Sequence, residues 1–216
     1  MSLHPGRTGP LVAVAAAFIL TACASTDLKS TPNEHIVGAG TDDPAKPPSP
    51  TAVDGEDHPE VSLPSDLNDV FVAWTSADET EESILTDVAH RIDATNYAIT
   101  QGDPDSDVLS FYYRDGALAE AKDWVDSLAR DGYSITGVNR YFKAEIDVFD
   151  ASSAGISYCE DQSQAFAKDR ETGEVFETEV SDDSYVLYVT RVEKDGKGVW
   201  KTTRLLSERG HKSCIV

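Results

Sequence analysis

The densest run of chemically capable side chains is Cys159-Glu160-Asp161-Gln162-Ser163. Glu160 and Asp161 are the types that serve as a general base or as half of a cation site. Paired-carboxylate chemistry requires both groups to converge on one atom. Neighbours on a strand point to opposite faces, so these two do not converge, and the run reads as a strand end with solvated acids. Asp103-Pro-Asp-Ser-Asp107 invites a calcium reading, but it lacks the glycine and the distal glutamate of a calcium loop. It reads as a solvated turn between helices, with Asp107 as the helix cap. Of the five histidines, no two have the i, i+4 spacing that places a pair of ligands on one helix face. His90 reads as an exposed helix position, and no metal site is expected. There is no phosphate-binding glycine loop, no G-x-S-x-G element and no S-x-x-K motif, so no cofactor and no catalytic residue is expected.

The aromatic residues are the remaining candidates. Trp124, Tyr158, Tyr185, Tyr188 and Trp200, with Leu128, could line an apolar pocket edged by phenol and indole donors. They could equally fill an ordinary core with their polar ends at its rim.

The elements that would position these residues are legible from periodicity. A helical stripe over 80–99 carries Ile84, Val88 and Ile92, with acids in its first turn and Asp78 or Thr80 as cap. A short helix is expected near 108–113. A second amphipathic helix over 116–131 has Leu118, Ala121, Trp124, Val125 and Leu128 on its buried stripe and ends at Gly132. Beyond Gly132 the period changes to two. Strands are expected at 133–141, 144–149, 155–159, 164–170, 174–180, 185–193 and 199–206, with turns at Thr172-Gly173 and Asp195-Gly196. Helices followed by a run of strands give an α+β class. Asp69 to Trp74 is expected to be extended and packed on this domain.

The chain begins differently. Arg7 precedes an uncharged apolar stretch from Leu11 to Leu20, which is shorter than the about 20 residues a membrane-spanning helix needs. Leu20-Thr21-Ala22-Cys23 follows it and resembles the lipobox of bacterial lipoproteins. The resemblance implies a signal peptide over 1–22, a lipid on Cys23 and anchoring of the chain to the extracytoplasmic face of the cell membrane. The alternative is ordinary cleavage with Cys23 incidental. Seven of the ten prolines fall between Pro32 and Pro64, among scattered acids and without apolar periodicity. Residues 23–63 therefore read as a disordered, acidic tether, and 64–216 as one folded domain. Outside the cytoplasm the remaining pair, Cys159 and Cys214, defaults to a disulfide, with two buried thiols as the alternative.

The formal charge is −21, from 18 basic and 39 acidic residues. Removing 1–22, whose one fixed charge is Arg7, makes it −22. So acidic a surface repels phosphates and excludes nucleic acid as a partner.

Gly132-Tyr-Ser-Ile-Thr-Gly137, Tyr158-Cys-Glu-Asp-Gln-Ser163, Thr172-Gly-Glu174, Ser184-Tyr-Val-Leu-Tyr188, Gly198-Val-Trp-Lys-Thr202 and Cys214 resemble a group of actinobacterial secreted lipoproteins. The element order is similar to the NTF2-like fold. That resemblance implies a cone, with N-terminal helices packed on a curved antiparallel sheet and a pocket between them. The reading that follows is a non-enzymatic module of the cell envelope that binds a protein partner. The rivals are a binder of a small apolar ligand and an enzyme of the ketosteroid-isomerase style, in which a buried carboxylate and a tyrosine act on a bound carbonyl.

Overall fold

A computed structural model describes residues 58–216. Cys23, the signal segment and most of the expected tether lie outside the described residues. Three helices, α1 (Glu79–Gln101), α2 (Asp107–Tyr112) and α3 (Asp115–Arg130), pack on one sheet. Its strands are β1 (Leu67–Phe71), β2 (Tyr133–Asp150), β3 (Ser153–Asp169), β4 (Val175–Phe176), β5 (Tyr185–Lys194) and β6 (Trp200–Arg209). The sheet order is β1-β2-β3-β5-β6, with β4 on the far part of β3. The architecture is the expected α+β arrangement of helices against a curved sheet.

The local chemistry explains the boundaries. Asp78 caps α1, its Oδ1 accepting the backbone N–H groups of Thr80 at 2.9 Å and Glu81 at 3.0 Å. Glu79, Glu81 and Glu82 load the first turn, where the helix dipole favours acids. Gly102 ends α1 in the left-handed region at φ 67°, a conformation that costs glycine least. The cap of α2 is Ser106 rather than Asp107, and it makes no side-chain capping bond.

The sheet is mixed rather than wholly antiparallel. β1 runs parallel to β2, with Leu67 opposite Gly137 and Phe71 opposite Tyr141. The three helices form the crossover that a parallel neighbour requires. The expected pair of strands at 133–141 and 144–149 is a single strand. A register shift between Phe142 and Glu145, with Lys143 at φ 53°, breaks the two-residue alternation and bends the strand. The expected strand at 174–180 is reduced to Val175 and Phe176, which pair with Lys168 and Ala167 beyond the stretch of β3, Ser153 to Asp161, that β5 covers. Gly137 is required by a close approach. A Cβ there would lie 2.0 Å from the backbone oxygen of Gln164.

One end of the space between sheet and helices is filled. Trp74, Ile84, Leu85, Val88, Ile156, Val192 and Trp200 form its core, and Ile92, Tyr141 and Tyr158 of the same cluster stand at the boundary with the other end. Behind β3, Cys159 and Cys214 form a disulfide, packed with Phe142, Tyr185 and Leu187.

Candidate functional site

The other end of that space is open. A cavity of about 520 Å³ lies between the sheet, α1 and α3. Its apolar wall includes Ile92, Ile99, Ala117, Ala121, Leu128, Ile135, Phe166, Val186 and Leu205, and its floor is polar.

The floor follows from strand alternation. Tyr158, Glu160 and Gln162 share one face of β3 and point inward. Tyr141 of β2 is registered directly opposite Glu160, and Tyr188 of β5 opposite Tyr158. Cross-strand neighbours lie close enough to bond. Tyr141 donates to Glu160 Oε1 at 3.0 Å, Tyr188 donates to Oε2 at 2.8 Å, and Gln162 Nε2 donates to Oε2 at 2.9 Å. Burial pushes the Glu160 carboxyl up, and the bonds from Tyr188, Tyr141 and Gln162 work against it. Burial also lifts the Tyr141 and Tyr188 phenols well above their usual range, so both stay protonated donors.

Arg91 reaches the same floor from α1. It occupies the apolar stripe of the helix and is 4 % exposed. Its Nη1 donates to the Tyr113 hydroxyl at 3.1 Å and its Nη2 to the Tyr158 hydroxyl at 2.5 Å. Burial pulls the guanidinium pKa down, but the two phenol oxygens outweigh it and the group stays charged. Among the described residues no carboxylate comes within ion-pairing reach of it, and its Nε has no partner. The oxygen of Tyr113 also bonds Thr95 Oγ1 at 2.9 Å. Tyr158, in contrast, receives the Arg91 proton, and its own O–H finds no acceptor among the described residues. The floor therefore offers one unused donor, polarised by a buried cation, two residues along β3 from a buried carboxylate. Such an arrangement can bind an acceptor oxygen and stabilise charge that develops on it.

A second acidic group lies beside the floor. Asn96 and Asn139, both on the cavity wall, donate to Asp69 at 2.7 and 2.8 Å. Burial, then the Asp69 charge, pushes Asp93 up to about 8. Asp69 is raised as well, by burial against the bonds from Asn139 and Asn96.

Of the six expected lining residues, Trp124, Leu128, Tyr158 and Tyr188 line the cavity. Tyr185 packs behind β3 on the disulfide cluster, and Trp200 lies in the filled core. Trp124 is 56 % exposed, not part of a buried stripe, because it stands where α3 overlooks the open end. Glu160 is not a solvated strand end: it is 4 % exposed, while Asp161 takes the other side of the strand. Arg91, Tyr113, Asn96 and Asn139 were not expected here. The available signal was a cation within an apolar stripe, since Ile84, Val88, Arg91, Ile92 and Ile99 recur at helical spacing. His90 is half-buried rather than exposed. Burial, then His58, holds its imidazole below the usual range.

No protein-family model matches the sequence, and neither does any curated protein. Several solved structures align with the chain at low similarity. A ketosteroid isomerase-like protein from Erwinia carotovora atroseptica aligns over 61 % of this chain and 97 % of its own, at 16 % identity and a TM-score of 0.43. A scytalone dehydratase-like protein from Novosphingobium aromaticivorans aligns over 63 % of this chain and 93 % of its own, at 13 % identity and a TM-score of 0.38. The intermembrane-space region of the chloroplast protein ARC6 aligns over 56 % and 94 %, at 14 % identity and a TM-score of 0.38. The fold itself is α+β, three helices packed on a mixed six-stranded sheet. The expectation of a domain that is not an enzyme is corrected. The space that could equally have been an ordinary core is a cavity whose floor holds a carboxylate, phenols and a buried cation.

Proposed function

We propose that the domain receives a small, largely apolar molecule with an acceptor oxygen at one end. The oxygen sits against the Tyr158 hydroxyl and Arg91, and the apolar body lies between Ile99, Leu128, Ile135 and Phe166. The observation that carries this reading is the unused, cation-polarised O–H of Tyr158 on the floor of a cavity of about 520 Å³, within the size range of small-molecule sites. The chain works at the extracytoplasmic face of a membrane, held by a lipid on Cys23. The lipobox-like Leu20-Thr21-Ala22-Cys23 after an apolar stretch supports that placement.

The test is native mass spectrometry of the chain recovered from its own host without denaturation. A bound organic mass is expected in the wild type, and its loss in Tyr158→Phe. A wild type without bound mass contradicts the reading. Cys23→Ala should leave the protein unprocessed and unlipidated, and membrane retention of a processed variant contradicts the anchor.

The position of Glu160 favours a second reading, proton transfer next to a bound carbonyl. Tyr158 and Arg91 hold the carbonyl oxygen, and Glu160, with a raised pKa, removes the neighbouring proton as general base. The check is deuterium exchange at the α-carbon of small cyclic ketones, followed by NMR. Wild-type exchange should fall by about 100-fold or more in Glu160→Gln, in line with general-base catalysis. Equal rates in the two proteins remove this reading and leave the binding reading intact.

A further inference from the structure

Three side chains from two parts of the chain converge on the helix layer, apart from the cavity lining. Asp87 and His90 are three residues apart on α1 and so share a face. His58 comes from the extended segment ahead of β1. Each offers one ligand atom, and these atoms all lie within 4.8 Å of one another. We propose that His58, Asp87 and His90 form a binding site for a divalent zinc-like cation. This inference does not depend on the cavity reading.

The chemistry of the three groups fits. Two imidazoles and one carboxylate are the ligand types that zinc and the later first-row metals take. Ligand bonds of about 2.0–2.2 Å in a tetrahedral site place donor atoms roughly 3.4 Å apart. His58 Nδ1 lies 3.9 Å from Asp87 Oδ1. Closing the rest of the gap requires side-chain rotations that release His58 Nδ1 from the Tyr112 hydroxyl, 3.1 Å away, and His58 lies outside any helix or strand. The carboxylate is already oriented, because Asp87 Oδ2 accepts the backbone N–H of Trp200 at 2.8 Å. Such an outer bond is what fixes a metal-ligating carboxylate.

Packing alone leaves one feature without a role. The two imidazoles stand 5.1 Å apart between ring centres, beside Phe111 and Tyr112. Yet His90 Nδ1 is buried without a hydrogen-bond partner, an uncompensated cost in a merely packed ring. A cation at this point gives the imidazole cluster and the buried Asp87 a common partner. Three protein ligands leave a fourth position for water. Bound metal pins the segment carrying His58 onto α1, one residue from the inward-facing Arg91.

The full chain, stripped with a chelator and dialysed, is titrated with Zn²⁺ by calorimetry. We expect saturable binding to which this site contributes one Zn²⁺ per chain. His58→Gln and His90→Gln should each weaken that event at least tenfold, since outer-shell changes alone cost about 10–100-fold, whereas His211→Gln leaves it unchanged. Circular dichroism confirms that each variant is folded. Should His90→Gln fail that check, His58→Gln decides, because its position is on coil. Binding of equal strength in the wild type and in His58→Gln assigns the metal to other groups and overturns the site. Absence of saturable binding overturns it as well.

Discussion

Along β3 the side chains that point between sheet and helices change character halfway. Ala154 and Ile156, near its start, pack into the core with Ile84, Val88 and Trp200. Tyr158, Glu160 and Gln162 continue the same alternation but face the cavity with Arg91 and Thr95 of α1. The strand, its pairing with β5 and the helix above are shared. Only the side-chain types differ. A closed end supplies the burial that holds the fold, and an open end can then keep a cation and a carboxylate at low exposure without filling the space between them. Fold and site are thus two segments of one periodic pattern.

The contrast can be broken from the filled end. Trp200 is 1 % exposed, and its Nε1 donates to Ser83 Oγ at 2.7 Å. Trp200→Ala should cost about 3–5 kcal/mol in urea unfolding. Trp124→Ala, at the open end, should cost less than about 1 kcal/mol. Equal costs would mean that the two ends are not energetically distinct.

Next in size is the disulfide behind Cys159, the residue between Tyr158 and Glu160. Its partners are 55 residues apart, and closing such a loop is worth about 4 kcal/mol in the chain-entropy model. Cys159→Ala with Cys214→Ala should lower stability by about that amount. If the bridge also fixes the floor, the same variant should bind the native ligand more weakly.

The Asp69–Asp93 pair should give a smaller, pH-dependent effect. Asp93 titrates from 3.8 unfolded to about 8 folded. Below about pH 3.8 both states hold the proton, and the pair carries no penalty. Between there and about pH 8 the unfolded chain releases a proton that the folded domain retains, so stability falls as pH rises, and it levels off above. Asp93→Asn, which mimics the protonated form, should flatten this decline in melting temperature and stabilise the domain at pH 8 more than at pH 5. An unchanged slope would place the proton elsewhere.

Much of the fold was readable because it depends on local signals. Asp78 and Gly132 mark helix ends, and the change of period after Gly132 marks the sheet. The site was readable only in part. Glu160 and Gln162 interrupt an apolar alternation, so β3 reads as two strands with a polar gap. That interruption is the floor of the cavity. Burial of an acid depends on what covers it, and Arg91, Tyr113 and Tyr141 come from elements 19 or more residues away. The His58–Asp87–His90 cluster escaped an i, i+4 search because its helical pair is spaced by three and its third member lies in the expected tether.

The central claim is that the charge of Arg91 serves a ligand rather than the fold. Arg91→Met replaces a buried cation without a carboxylate partner by an apolar chain of similar length. Removing a buried charge that no carboxylate compensates relieves its desolvation penalty. Native mass spectrometry of wild type and Arg91→Met from the same host, each followed by urea unfolding, tests it directly. The account predicts a ligand on the wild type and an empty variant at least as stable. A less stable variant that keeps the same bound mass would contradict it.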